Sequence, residues 1–365
     1  MPRITSGRVG VTVDMAGCPN RCRHCWLGHG TDQGMSEEAL RWVVQQFRSY
    51  RRPDDVKPVF DQIIVQTWFR EPDRLPEYRR LWELEKELSY PGGALRFELA
   101  SSWRLAREQD YAAWLKEVGT KVVQISFFGL EANTDYFTRR AGSFQDNLLA
   151  TERLLDQSIA PRWQLFLSNR VIDELDAFVE LIQELKLEER VARLGKEFVV
   201  FVNLPTPVGE AFVHEHLRPS AQVLDRLPKY LSDKTIKHFQ AVDLSSALGK
   251  PESAWLPELS QNNEPYAQTP SLLAFLVTPE LEVFTNLGEL TPAWSLGNLE
   301  RDGIKEIIRR YEFDVVLGLQ GFYHVPVSTL ATTYGRKDSA LLYGKGDLIT
   351  RWLKLWADEK TSGAL

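Results

Sequence analysis

Short apolar runs alternating with amphipathic helical stretches, over about the first 200 residues, constrain this chain more than any other feature of its sequence. The runs Arg8–Asp14, Asp61–Gln66, Leu95–Ala100, Lys121–Phe127, Trp163–Leu167 and Phe198–Val202 are rich in branched or aromatic residues, as strands are. In the first of them Val9, Val11 and Val13 alternate with small or polar residues, and Gly7 and Gly17 flank it. Between the runs, a helix is expected from Ser36: Ser caps, Glu37 and Glu38 fill the first turn, and Leu40, Val43, Val44 and Phe47 recur at helical spacing. A second stripe, Leu175, Phe178, Val179, Ile182 and Leu185, marks a helix over Glu174–Leu187. Six strands alternating with helices predict an α/β protein with a parallel sheet, a partial (β/α)6 TIM-like barrel over residues 1–215. In such a fold the chemistry sits in the loops after the strands.

The rhythm breaks at Leu204–Gly209, and residues 216–271, rich in Pro, Ser, Asn and Gln, predict an irregular or helical connection. Leu272–Val277 and Leu281–Thr285 then flank Pro279 and Glu280 like a hairpin, and Asp302–Tyr311 resumes a helix. A small α+β C-terminal module is expected over 272–365. A length of 365 residues suits this division. With 43% apolar and 26% charged residues, the chain is a poor match for disorder, collagen or coiled coil. Its 44 Lys and Arg against 50 Asp and Glu give a net charge of -6, the wrong sign for a protein that lives on phosphate backbones, so no nucleic-acid partner is expected. The N-terminal residues lack the apolar segment of an export signal, and no stretch approaches about 18 uninterrupted apolar residues. The expectation is a cytoplasmic protein with no membrane partner.

All three cysteines, Cys18, Cys22 and Cys25, come directly after the first expected strand. An odd number confined to one loop argues against a disulfide framework. Cys18-Pro-Asn-Arg-Cys22-Arg-His-Cys25 places three thiolates on one tight loop. Ordinary [4Fe-4S] carriers use four cysteine ligands, so three leave one iron open to another molecule. The competing reading is a Cys3His zinc site completed by His29, which would make the chain a non-catalytic zinc or iron–sulfur binding interaction protein. A structural zinc loop, however, has no reason to sit after the first strand of a barrel-like series.

The cysteine spacing, three residues and then two, resembles the signature of the radical S-adenosylmethionine (radical SAM) superfamily. The resemblance implies one [4Fe-4S] cluster on Cys18, Cys22 and Cys25, whose open iron is chelated by the amine and carboxylate of S-adenosylmethionine. Trp68-Phe69-Arg70-Glu71-Pro72 falls where the family carries Gly-Gly-Glu-Pro. There Glu71 would hold the cofactor's ammonium, while Phe69 and Arg70 replace both glycines. The stretch Gln124–Glu131 and the residues Asp135 to Phe144 are similar to the family's fourth strand and its loop, which implies that Ser126 and Arg139 help bind ribose or carboxylate, with Arg140 as the rival. Ser101 or Ser102 is implied for the ribose, Trp26 for the adenine, and His24 for packing. Leu281–Gly288 with Ser295–Leu299 resembles the SPASM or twitch extensions without their cysteines.

The same resemblance implies an enzyme that reductively cleaves S-adenosylmethionine to a 5'-deoxyadenosyl radical, which abstracts hydrogen from its substrate. An external one-electron reductant such as flavodoxin or ferredoxin is implied. The first expectation for the substrate is a small polar metabolite undergoing isomerisation, elimination, decarboxylation or oxidation, and the alternative is a ribosomally made peptide. With every cysteine on the cluster, neither a cysteine-ligated auxiliary cluster nor a cysteine hydrogen donor is available in the chain.

Other residues have plainer readings. His214 and His216 lack a nearby third ligand and read as solvated or capping residues, and Tyr323 and His324 as packing. Arg48, Arg51 and Arg52 read as a solvated helix end. Asn169 and Asn203, each just after an expected strand, are candidate substrate contacts.

Overall fold

The structure is a computed structural model that describes residues 4–15, 17, 18, 20–28, 34–53, 55–67, 70–89, 99–267 and 272–362. Its strands are β1 (Arg8–Val13), β2 (Gln62–Gln66), β3 (Val122–Phe127), β4 (Ala160–Phe166), β5 (Val199–Asn203), β6 (Lys250–Pro251), β7 (Ala274–Val277), β8 (Glu282–Thr285), β9 (Ser295–Asn298) and β10 (Leu342–Tyr343). A five-stranded sheet runs β2-β1-β7-β8-β9, a second sheet runs β3-β4-β5, and β6 pairs with β10. The class is mixed α/β with parallel sheets: β1 lies parallel to both β2 and β7, and β3, β4 and β5 are parallel throughout.

Five of the six expected strands are present within a few residues of their expected limits. Most of the remaining one, Leu95–Ala100, lies outside the described residues, and no closed barrel forms among those described. The hairpin expected at 272–285 forms and also continues the first sheet, with β7 on β1 and β8 antiparallel to β7. The reason lies in β1 itself. Val9, Val11 and Val13 are buried on one face and Gly10 and Thr12 on the other, so both faces of the strand are covered, and an unpaired second edge would leave backbone donors and acceptors buried without partners. Gly10 allows the close approach of β7, since a Cβ there would come within 3.0 Å of the Ala274 methyl.

The expected helices form for the expected reasons. Helix Glu37–Ser49 is capped by Ser36, whose Oγ accepts from Ala39 N, and it buries Leu40, Val43, Val44 and Phe47. The second stripe is broken earlier than expected: helix Leu175–Glu184 ends before Lys186, which takes a left-handed φ of 50°, and a new helix begins at Leu187. The apolar core groups by sheet. Phe47 and Val65 share one core with Phe275, Tyr343 and Trp352 from the C-terminal part, whereas Trp163, Phe127, Phe178 and Phe198 build another around β3, β4 and β5. No helix among the described residues is long and apolar enough to cross a membrane.

Trp163 tests the second core. Its ring lies 4.3 Å from Phe127 and its indole N–H donates to Thr151 Oγ1 at 3.0 Å. Trp163→Ala should remove about 3–5 kcal/mol of stability, read as a lower denaturant midpoint. Trp42→Ala, at a site 38% exposed, should change it by no more than about 0.5 kcal/mol.

Candidate functional site

The loops after β1, β2 and β3 converge on a cavity of about 350 Å³, within the range of small-molecule sites. The loop after β1 brings Cys18, Cys22 and Cys25 to its wall, the segment after β2 brings Arg70 and Glu71, and β3 brings Gln124 and Ser126. Local bonds shape the cysteine loop: Cys25 N donates to Cys22 O at 3.1 Å, and Gly28 N to Cys25 O at 3.3 Å. Arg21 N and Arg23 N tie the loop to the carbonyls of Thr138 and Phe137, and Glu210 N reaches Cys25 O at 2.9 Å. The last contact needs a glycine beside it. Gly209 has a φ of +57°, and a Cβ there would lie 2.5 Å from Trp26 O and 2.7 Å from Cys25 O.

Burial pushes all three thiols up from their ordinary range, and the nearby Glu71 carboxylate adds to this for Cys18 and Cys22. Thiols in that state stay protonated until a metal displaces the proton, the usual coupling of metal binding to deprotonation. Glu71, half-buried like the cysteines, has its carboxylate turned inward. Its Oε2 accepts from Ser101 Oγ at 2.9 Å and its Oε1 from Asn20 Nδ2 at 3.4 Å, yet burial outweighs these bonds and carries its pKa upward. Three thiols and a carboxyl group whose charged forms are disfavoured by burial fit a soft metal centre with a cationic ligand beside it.

The other expected residues divide around this cavity. Ser126 lines it, and its carbonyl accepts from Asn147 Nδ2 at 2.8 Å. Trp26 stands at the wall, 46% exposed. Ser102 lines the cavity, while Ser101 lies behind it holding Glu71. Arg139 is turned away, contrary to expectation. It caps its helix in the left-handed conformation, and its guanidinium meets His214 Nε2 at 3.1 Å and Glu210 at 3.6 Å. Arg140, one residue on, lines the cavity and donates from Nε to Asn20 Oδ1 at 2.8 Å.

His24 packs rather than ligates: its ring sits 4.4 Å from Phe128 and 4.6 Å from Phe166, and burial lowers its pKa to about 3. His29, the fourth ligand of the zinc reading, lies outside the described residues, as do Trp68 and Phe69. Asn169 and Asn203 serve the backbone instead of the cavity, Asn169 through His216 O and Asn203 through Leu204 N. His324 meets Asp314, and the Tyr323 ring packs on Phe322. Arg48, Arg51 and Arg52 clamp the carbonyls of Leu88, Val56 and Ile4.

Sequence reasoning missed two positions, an amide and an acid. Asn147 comes after Ser143 at helical spacing and reaches the cavity from the same face, a signal available in the sequence. Asp73 gave no such signal. It is fully buried behind Glu71, where its Oδ2 accepts from Ser101 N at 2.7 Å and from the Tyr111 hydroxyl at 2.5 Å, so it fixes the backbone that presents Ser101 to Glu71.

No family model and no curated protein matches the chain. Solved structures do. A structure of anSMEcpe with bound AdoMet (S-adenosylmethionine) and the peptide Kp18Cys aligns over 98% of both chains, with a TM-score of 0.53 and 14% identity. A structure of the same protein with bound AdoMet aligns over 98% of this chain and 99% of that one, with a TM-score of 0.52 and 13% identity. The likeness shows a shared fold that spans both sheets and the C-terminal helices.

Burial, and then the Glu71 charge, raises the Asp73 pKa from 3.8 to about 7. The folded chain therefore holds a proton that the unfolded chain releases between about pH 4 and pH 7, and stability falls as pH rises through that window. Asp73→Asn should remove this slope. Denaturant midpoints measured from pH 4 to pH 8 should show the variant gaining on the parent up to about pH 7 and holding a constant lead above it, and parallel curves would show that Asp73 ionises normally.

Proposed function

We propose that this chain is a radical SAM enzyme that carries one [4Fe-4S] cluster on Cys18, Cys22 and Cys25, binds S-adenosylmethionine at the open iron and modifies a peptide. The observation that carries the reading is the meeting of three half-buried thiols with the half-buried Glu71 carboxylate in one cavity, at the ends of parallel strands. When bound, the cluster and S-adenosylmethionine supply a carbon-centred radical able to take hydrogen from unactivated carbon, at the cost of one electron from an external donor such as flavodoxin or ferredoxin.

The chain's own residues do the rest. Glu71 receives the cofactor's ammonium, which relieves the burial of its charge, and Ser101 fixes the carboxylate for that bond. Ser126 and Arg140 face the ribose and carboxylate, with Trp26 at the adenine edge. Arg140 takes the place first expected for Arg139 because only Arg140 reaches the cavity. The apolar side chains of Leu99, Trp26 and Leu27 at the wall limit water around a reactive carbon. In this reading β1 to β5 belong to the partial (β/α)6 barrel. Residues 272–365 are a cysteine-free counterpart of a SPASM extension.

A peptide substrate is favoured over the small polar metabolite first expected, because the likeness to a peptide-bound structure runs the length of both chains. With no cysteine outside the cluster loop, the modification must proceed without a second cysteine-ligated cluster.

Anaerobic reconstitution should give a brown protein with about four iron and four sulfide per chain. Dithionite and S-adenosylmethionine should then yield 5'-deoxyadenosine, and Cys22→Ala should lose both properties. A colourless chain holding one zinc would sink the proposal. Glu71→Gln should keep the iron but raise KM for S-adenosylmethionine by about tenfold or more, the scale of one lost hydrogen bond to a charged group. Arg140→Ala should raise it similarly, and Arg139→Ala should leave it near the parent value.

A further inference from the structure

Arg70 stands where the resembling family carries glycine, and the structure gives it work at the cysteine loop. Its side chain is 7% exposed and pairs with Asp14, 8% exposed, through Nε and Oδ2 at 2.6 Å. Its Nη1 donates to Gly28 O at 2.9 Å and its Nη2 to Leu27 O at 3.2 Å. Asp14, the residue after β1, uses its other oxygen to accept from Gly17 N at 3.1 Å. Gly17 and Gly28 bracket the three cysteines, so one buried ion pair holds both ends of the loop against the ends of β1 and β2. The Gly28 carbonyl also lies 3.6 Å from Cys25 Sγ, which places that sulfur and the guanidinium on the same oxygen.

We propose that the Asp14–Arg70 pair is the positioning device of the metal centre, closing the loop over residues 17–28 and holding a fixed positive charge beside the Cys25 sulfur. The inference rests on the functional reading above for the identity of the centre. Two functions of the guanidinium are separable. Its planar fork serves a carboxylate and two carbonyls at once, in directions that a lysine ammonium cannot reproduce, whereas its charge survives replacement by lysine. Cluster potentials depend on local charge and hydrogen bonding, so a cation at this corner favours the reduced, more negative state.

Arg70→Lys and Arg70→Gln, each checked by far-UV circular dichroism and thermal midpoint, test both parts against the parent chain. In the metal-free reduced chain, maleimide labelling of each cysteine, located by peptide mass, reads loop closure without any cluster. Both variants should label Cys25 about tenfold faster or more, the scale of one lost charge-assisted bond. After anaerobic reconstitution, both should lose iron to a chelator faster than the parent. By electron paramagnetic resonance during a redox titration, Arg70→Gln should have a more negative cluster potential, and Arg70→Lys should restore most of the difference. If Arg70→Gln does not fold, Arg70→Lys against the parent decides the loop part, and the potential of Arg70→Lys, kept near the parent value, decides the charge part. Parent-like labelling and iron loss in Arg70→Lys would overturn the closure. A potential in Arg70→Gln equal to the parent's, or in Arg70→Lys well below it, would overturn the charge role. A parent chain that takes up no cluster would sink the functional reading and the charge role with it, while the labelling comparison would still decide the closure.

Discussion

Parallel pairing of β1 on both of its edges is the constraint on which the site depends. Parallel strands carry their C-terminal ends to one side, so the chain that leaves β1 must emerge beside the chain that leaves β2. That shared side is where Cys18 to Cys25 meet Glu71, and the bond from Glu71 N to Gly17 O at 3.2 Å joins the two segments through the backbone. An antiparallel neighbour would have sent the second segment to the opposite end of the sheet. The burial of Val9, Val11 and Val13 locks the arrangement, because sliding β1 by one residue would turn these side chains onto the other face.

Electrostatics completes what topology begins. The cavity collects groups that lose by burial in their charged forms: three thiols, Glu71 and, one layer deeper, Asp73. Fixed cations stand at its margin, Arg140 on one side and Arg70 on the other. Burial therefore holds the charged forms of these groups at a disadvantage even with the two cations beside them. Polar groups of the scaffold spend their bonds on orientation: Asp73 on Ser101 N, Ser101 on Glu71, Asn147 on the Ser126 carbonyl.

Much of this was legible in the sequence, for physical reasons that differ by element. Ser36 and the stripe from Leu40 to Phe47 give helix Glu37–Ser49 almost residue for residue, since capping and periodicity are local. The cysteine loop was legible because the spacing of three residues and then two is local too. The partner of β7 was not: an apolar run of four residues looks the same whether it founds a hairpin module or completes a distant parallel sheet. That Arg140 and not Arg139 lines the cavity was not legible, because the left-handed turn that ends the helix at 139 is set by tertiary context and not by spacing. Asp73 escaped notice because its importance comes from burial behind Glu71, which no spacing encodes.

The order of the strands also has a consequence for how the protein is made. On the ribosome β1 emerges first, yet the partner that seals its second edge, β7, arrives only after most of the chain has been translated. Until then the nascent chain displays a valine-rich strand with an open edge, the kind of surface that recruits chaperones or aggregates. Truncated products ending before β7 would carry all three cysteines after a strand whose second edge is open.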